Sequence, residues 1–395
     1  MNPRCIVQVA DYRAPFSTNF DVSLLELGRQ VRDRLDLDSA FVFSRGAVGR
    51  PWLAKIRAEG IPVRFLDRDA THRDRVRALR RIAEETQATL LHTHFGTFDV
   101  DAAFVASRLS CGILWHMHSP YPIGATLRGR LGERAKFQVV GRLFVDRIVA
   151  VSESVAESAV SHGGPRSKLS VVLNGIDTRR LKPFDTVHRV ALRQRYAIPE
   201  DSTVFLLFGW TPRRKGVDLL AQASKRLQRV SDHPCVCLVT RGEDNEAELL
   251  NMIRDAPALR LVSPVPEVSE LYGLADCFIS ASRAEGLPYA IGEAMASGLP
   301  VVSSDLPQVV AAYGPAGPGF LSFQSGNASD LAEAMARVSK LSPEERRELA
   351  AGNRAYIREH LSLEKWTDEM IRLYRSVFAD RARRAKSIDG DSSTS

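Results

Sequence analysis

Short apolar runs alternate with longer amphipathic stretches along almost the whole chain. Residues 6–10, 40–43, 63–66, 90–94, 113–118 and 147–152 have strand length, and helical patterns such as 24–35 and 71–86 separate most of them. A second series follows at 203–209, 235–240, 260–263, 277–281, 301–304 and 319–323, with helical patterns such as 217–230 and 246–255 between. This alternation predicts open parallel sheets with helices on both faces. Two Rossmann-like domains are expected, at 1–180 and 181–360, with a linker near 178–200. In such sheets ligands bind outside the carboxyl ends of the strands. The stretch 362–378 departs from the alternation and reads as an amphipathic helix. Residues 379–395, which end in a Ser/Asp/Gly-rich run, are expected to be disordered.

The densest signal lies at 275–302, A-D-C-F-I-S-A-S-R-A-E-G-L-P-Y-A-I-G-E-A-M-A-S-G-L-P-V-V. It reads as strand, loop, helix and strand. Pro288 suits the first helical turn, where its missing N–H costs nothing. Gly298 followed by Pro300 stops the helix. Glu285 stands just before the helix and Glu293 about two turns inside it. A helix N-terminus presents unpaired N–H groups and the positive end of the dipole, which suit an anion. A phosphate there would have a carboxylate on either side, each able to accept hydrogen bonds from sugar hydroxyls. The pattern fits a ligand with both phosphate and sugar, such as a nucleotide sugar. Taken alone, two glutamates eight apart are equally two solvated carboxylates.

The whole string resembles the E-x7-E region of family 4 retaining glycosyltransferases, which have the two-domain GT-B fold with a cleft between facing domains. The resemblance implies that Glu293 binds the donor ribose. It also implies that amides around Leu287, Pro288 and Tyr289 hold the distal phosphate, and that Glu285 engages the transferred sugar. It extends to 208–220, F-G-W-T-P-R-R-K-G-V-D-L-L, where the family has G-R-x-x-x-x-K-G and its Arg and Lys bind the donor diphosphate. Lys215 and Gly216 match. Trp210 stands where the family has its arginine, so Arg213 or Arg214 is expected to supply the lost cation. Two His-x-His pairs, His92/His94 and His116/His118, end predicted strands, where alternate residues face the same way. They could in principle hold zinc; the lack of a nearby carboxylate weighs against it. By resemblance His118 contacts the transferred sugar or supports its oxocarbenium-like transition state, and His94 lines the acceptor side. His92 and His116 are read as hydrogen-bonded strand-end histidines. Ser152 is read as a helix cap and Asn174–Gly175 as a turn. By the same resemblance the 361–378 helix crosses back to the N-terminal domain, no metal or other cofactor is required, and the co-substrate is a nucleotide-diphosphate sugar. The family's Gly-Gly loop after the first strand is absent; residues 11–20 read D-Y-R-A-P-F-S-T-N-F.

Composition narrows the partners. The 395 residues have 44% hydrophobic and 26% charged content, that of an ordinary globular protein. No apolar run reaches the roughly 18–20 residues that span a bilayer. The start of the chain lacks the apolar core of a signal peptide. A cytoplasmic location is expected. Five cysteines, an odd number, read as small core hydrophobes. The net charge of +7 is uneven: residues 1–180 hold 27 Lys and Arg against 19 Asp and Glu, and the remainder 27 against 28. Five arginines fall between Arg73 and Arg81. A second basic stretch, 128–147, interleaves Arg and Lys with Phe137, Val139, Val140, Leu143 and Phe144. Both can be solvated helix faces. The alternative is a surface for anionic lipid or a lipid-linked acceptor, placing the protein peripherally at the inner face of the membrane. No motif accompanies the charge that would favour nucleic acid.

The expected activity is therefore transfer of a sugar from a nucleotide diphosphate to an acceptor hydroxyl, in cell-envelope polysaccharide or glycolipid synthesis. A sugar-nucleotide epimerase or phosphorylase of the same fold, and a basic scaffold without catalysis, are the alternatives.

Overall fold

The computed structural model describes residues 4–120, 127–181, 183, 185–230 and 233–391. The chain divides into two compact units. One comprises Met1–Ala14, Phe20–Leu173 and Glu364–Ser395; the other comprises Pro15–Asn19 and Asn174–Leu363.

The first unit carries a seven-stranded sheet: β1 (Cys5–Ala10), β2 (Asp38–Ser44), β3 (Val63–Leu66), β4 (Ala88–His94), β5 (Gly112–Met117), β6 (Arg147–Ala150) and β7 (Leu169–Val171). The order is β3-β2-β1-β4-β5-β6-β7, with every pairing parallel. All residues of β1 and β5 are buried, as a sheet covered on both faces requires. The helix Leu363–Asp391 lies on this unit from Glu364 onward and buries Trp366, Met370, Tyr374 and Val377 at helical spacing. It continues to Asp391, into the stretch expected to be disordered from 379; residues 392–395 of that stretch lie outside the described residues. The reason is charge rather than apolar surface. Arg381 and Arg384 both reach the buried Asp146 carboxylate at 3.2 Å, and Asp380 pairs with Arg147.

The second unit carries β8 (Thr203–Phe208), β9 (Cys235–Thr240), β10 (Leu259–Val262), β11 (Cys277–Ser280), β12 (Val301–Ser304) and β13 (Phe320–Phe323). Their order is β10-β9-β8-β11-β12-β13, again all parallel. Its core gathers Phe205, Leu207, Leu220, Leu227, Ile279 and Met335. The division between units falls at Asn174 rather than after 180. Part of the expected linker is a helix, Thr186–Arg195, capped by Asp185. Its Arg189 and Arg193 grip the buried Asp276 carboxylate at 2.6 and 2.5 Å. Polar side chains dock this helix, so hydrophobic periodicity does not reveal it.

In both sheets the order in which strands are added reverses once, between β1 and β4 and between β8 and β11. The loops leaving those four strands diverge there, and such switch points are where open α/β sheets place ligands. No helix among the described residues is long and apolar enough to cross a membrane.

Candidate functional site

In the second unit the switch point joins the loop after β8 to the loop after β11. The first of these runs through Trp210 into one helical turn, Pro212–Lys215, closed by Gly216 at φ +73°. A Cβ on Gly216 would lie 2.1 Å from the carbonyl oxygen of Ala281, at the end of β11. Only glycine allows this approach together with the left-handed backbone. The K-G pair is thus one device: the glycine seats the turn against β11, and the lysine then points at the neighbouring loop. The Arg283 amide donates to the Arg214 carbonyl at 2.9 Å, and its guanidinium donates to both oxygens of Asp218 at 2.9 and 2.8 Å. The two loops are stitched together from both sides.

Glu285 sits at the centre and is buried. Its carboxylate accepts from Lys215 Nζ at 2.5 Å, Ser282 Oγ at 2.7 Å and Arg214 at 3.4 Å. Its own carbonyl accepts from Gln308 Nε2 at 2.6 Å. A buried carboxylate is tolerated only with such partners. Burial pushes the Lys215 ammonium below its ordinary value, against the pull of the Glu285 charge. Lys215 Nζ also lies 5.3 Å from the centre of the Trp210 ring, which stacks on Phe208 and is 47% exposed. Arg214 rather than Arg213 joins this cluster. The Arg213 side chain is exposed, and its carbonyl accepts from Arg283.

The following helix, Tyr289–Ala296, begins after Pro288 and ends before Gly298 at φ +79°, as its punctuation predicts. The start of this helix is clamped at two carbonyls. Asn174 Nδ2 donates to Leu287 at 2.7 Å, and the Tyr313 hydroxyl donates to Pro288 at 3.0 Å. Asn174 therefore does more than turn the chain; it ties the start of the second unit to the helix N-terminus. One turn further on, Glu293 is buried and accepts from the Tyr272 hydroxyl at 2.8 Å. Burial first, and then the Glu293 charge, push the Tyr272 phenol well above its ordinary value, so it stays a donor. Arg180 reaches to 4.0 Å from Glu293. Its Nε and one Nη are buried without a hydrogen-bond partner. Arg180, Tyr272, Asn174 and Gln308 are site residues that sequence reasoning misses. They lie 21 to 113 positions from the atoms they hold, and no local pattern announces them.

In the first unit the switch point collects histidines. His92 and His94 leave β4 on one face with Gln8 of β1 and His116 of β5, and all four are buried. His94 Nδ1 lies 3.1 Å from His118 Nε2, and His92 Nε2 lies 3.3 Å from His116 Nδ1. Phe20 stands edge-on to both His94 and His118, at 5.2 and 5.4 Å between ring centres. Phe95, with its backbone at φ +66°, covers His118 at 4.4 Å. Tyr12, in the loop after β1, packs at 4.8 Å on Phe20, at the start of the helix Asn19–Leu35, and at 5.1 Å on Trp52, holding the wall beside His118. Ser152 caps the helix Glu153–Ser161 by accepting from the Val155 amide.

One nitrogen each from His92, His94 and His116 lies within 4.8 Å of the others, close enough for the three to converge on an ion after some rearrangement. Ligands at the ~2.0–2.1 Å of a zinc–imidazole bond sit about 3.4 Å apart in a tetrahedron. Both nitrogens of His94 are engaged, one by His118 and the other by Gln8 Oε1 at 3.0 Å. In this structure the imidazoles hydrogen-bond to one another, His94 to His118 and His92 to His116.

Two family models match the chain, one in each unit. Residues 22–180 match the model described as Glycosyltransferase Family 4, and residues 202–340 the model described as Glycosyl transferases group 1. Among curated proteins the chain is 27% identical over 292 residues to D-inositol 3-phosphate glycosyltransferase 1 of Catenulispora acidiphila, spanning 67% of this chain and 69% of that protein. It is 24% identical over 257 residues to alpha-galactosylglucosyldiacylglycerol synthase of Streptococcus pneumoniae, spanning 60% and 67%. Among solved structures, Anabaena HepE in complex with UDP and glucose superposes with a TM-score of 0.80 at 16% identity, covering 94% of this chain and 99% of that one.

Proposed function

The chain belongs to the GT-B-fold glycosyltransferases, and on that premise we propose that it is a retaining enzyme that moves a sugar from a nucleotide diphosphate to an acceptor hydroxyl. The observation that carries this reading is the cluster of Lys215, Arg214 and Glu285 at the β8/β11 switch point, beside a helix N-terminus. As the bond from the sugar C1 to the phosphate oxygen breaks, negative charge builds on the leaving diphosphate. Lys215, Arg214 and the first amides of the Tyr289–Ala296 helix stabilise that charge in the transition state more than in the ground state. Glu293, held by Tyr272, accepts from the donor ribose hydroxyls. Glu285 accepts from a hydroxyl of the transferred sugar. The new bond forms from the acceptor oxygen to C1 on the same face, and the acceptor proton passes to the departing phosphate oxygen. His118 serves the transferred sugar and His94 the acceptor side. With fixed cations on the leaving group, no divalent metal is needed.

UDP is the first donor to test, because UDP and glucose occupy the HepE structure. A ligand that binds only the folded state at 100 times its Kd stabilises it by about 2.7 kcal/mol. UDP or another nucleoside diphosphate is expected to raise Tm by several degrees in the presence of EDTA. No shift with any nucleoside diphosphate would sink the donor assignment. An inverted anomeric product by NMR would sink retention.

The acceptor is proposed to be a glycan or lipid-linked molecule of the cell envelope, met at an anionic membrane surface. The segment 127–144 supports this. Leu131, Val139 and Leu143 are 58%, 50% and 68% exposed, and Arg134 and Arg142 are exposed among them. In contrast, the Arg73–Arg81 stretch is largely spent on local pairs: Arg75 with Asp101, Arg77 with Asp74 and Arg80 with Glu84. The protein is expected to float with vesicles containing phosphatidylglycerol and not with pure phosphatidylcholine. Val139→Asp with Leu143→Asp should abolish flotation while leaving Tm unchanged. Equal flotation on both vesicle types would remove the anionic surface from the proposal.

A further inference from the structure

The buried polar face of the first sheet forms one hydrogen-bonded circuit. Gln8 of β1 is its hinge. Gln8 Oε1 lies 3.0 Å from His94 Nε2, and Gln8 Nε2 lies 2.9 Å from the Tyr374 hydroxyl on the C-terminal helix. Tyr374 lies 2.7 Å from His92 Nδ1, and His92 Nε2 lies 3.3 Å from His116 Nδ1. On the other arm, His94 Nδ1 lies 3.1 Å from His118 Nε2. Gln8, Tyr374, His92, His94 and His116 are each at most 1% exposed. Burial holds all four imidazoles far below their ordinary pKa, so each carries one proton and has one donor and one acceptor nitrogen.

That rule fixes the direction of every bond once Gln8 is oriented. Its carbonyl oxygen can only accept, so His94 carries its proton on Nε2. His94 Nδ1 is then an acceptor, and His118 must donate to it from Nε2. On the other arm the Gln8 amide donates to Tyr374. The hydroxyl proton goes to His92 Nδ1, His92 donates from Nε2 to His116 Nδ1, and the chain ends at His116 Nε2, which has no partner. Reversing any one bond requires turning the Gln8 amide, which reverses both arms, and moving the proton on all four imidazoles.

We propose that Gln8 is the positioning residue that sets the tautomer of His118, through His94, leaving His118 Nδ1 bare as a hydrogen-bond acceptor. This rests on the proposed role of His118 at the transferred sugar. A bare Nδ1 accepts from a sugar hydroxyl; the opposite tautomer offers it a donor. Tyr374 couples the C-terminal helix to the same circuit and braces the Gln8 amide from its far side.

The test uses the full-length protein labelled with 15N-histidine. Two-bond proton–nitrogen correlation spectra report each tautomer without substrate. The wild type should show His118 protonated on Nε2 and bare on Nδ1. Gln8→Leu should give mixed tautomers at His94 and His118 and cut kcat at least ~10-fold with donor KM unchanged. Gln8→Glu keeps an acceptor opposite His94 Nε2 and should restore both the tautomer and most of kcat. Tyr374→Phe deletes only the hydroxyl, and should change the tautomers of His92 and His116. A wild-type His118 protonated on Nδ1, an unchanged His118 in folded Gln8→Leu, or stoichiometric zinc in the purified protein would overturn the assignment. A changed tautomer with unaltered kcat would uphold the circuit and remove His118 from the reaction instead.

Discussion

Lys215→Ala is expected to lower kcat by about 100-fold or more in a protein that still folds. The ammonium is the most buried cation of the β8/β11 cluster, 11% exposed, against 45% for Arg214. A charge held in place and screened from water acts on a developing anion far more strongly than a solvated one, and removing one such group typically costs ~10²–10³ in rate. The same substitution leaves Glu285 buried with only Ser282 and the looser Arg214 contact. Loss of one partner from a buried pair costs up to ~3–5 kcal/mol, so Tm should fall as well. The two effects separate in a double variant. Lys215→Ala with Glu285→Gln removes both charges and should regain most of the lost stability, yet no turnover. Initial rates with a nucleotide sugar, alongside thermal melts, read both quantities. Wild-type turnover in folded Lys215→Ala would sink the diphosphate role. Recovery of turnover in the double variant would show that the lysine serves only to neutralise Glu285.

The parts of this site that were readable in the sequence are those written in local chemistry. Strand, loop and helix at 275–302 follow from punctuation by Pro288 and Gly298, and the helix Tyr289–Ala296 forms where those residues place it. Lys215–Gly216 is legible through its match to the family's K-G, and the structure supplies the steric cause, the 2.1 Å approach of a Gly216 Cβ to the Ala281 carbonyl. The choice between Arg213 and Arg214 is not, since it depends on how one helical turn is phased. Arg180, Tyr272 and Asn174 are silent for a different reason. Each acts on the site across a long loop, and the sequence records only its type, never its partner. The ordered tail and the Thr186–Arg195 helix are silent because ion pairs to Asp146 and Asp276 dock them, whereas periodicity reports apolar faces. β7 is three half-buried residues, too short for any pattern. The Gln8–Tyr374 contact spans 366 positions, and with it goes the whole connection among the four histidines.

Those histidines make acidification the other large expected effect. In the folded first unit, His92, His94 and His118 titrate well below 6.5 and His116 at about 3, in each case chiefly because burial disfavours the charged ring. In an unfolded chain each would titrate near ~6.5. The sign follows directly. Above pH 6.5 the rings are neutral in both states and pH has no effect through them. Below it the unfolded chain takes up protons that the folded chain refuses, so stability falls as pH falls. The loss continues until a folded ring can itself be protonated, and for His116 that extends towards pH 3. Each ring that stays neutral contributes a slope of a little over ~1 kcal/mol per pH unit. Against a net stability on the order of 5–15 kcal/mol, the rings that stay neutral should together destabilise the first unit strongly as pH falls below 6.5. Circular dichroism melts between pH 7.5 and 4.5 should show Tm level above pH 6.5 and dropping steeply below it. His116→Leu removes a ring whose Nε2 already lacks a partner and loses one hydrogen bond to His92. It should lower Tm at pH 7.5 yet flatten the acid slope by about one proton. A Tm unchanged down to pH 5 would mean that water or a compensating charge reaches the four imidazoles, and would sink the picture of a closed neutral circuit.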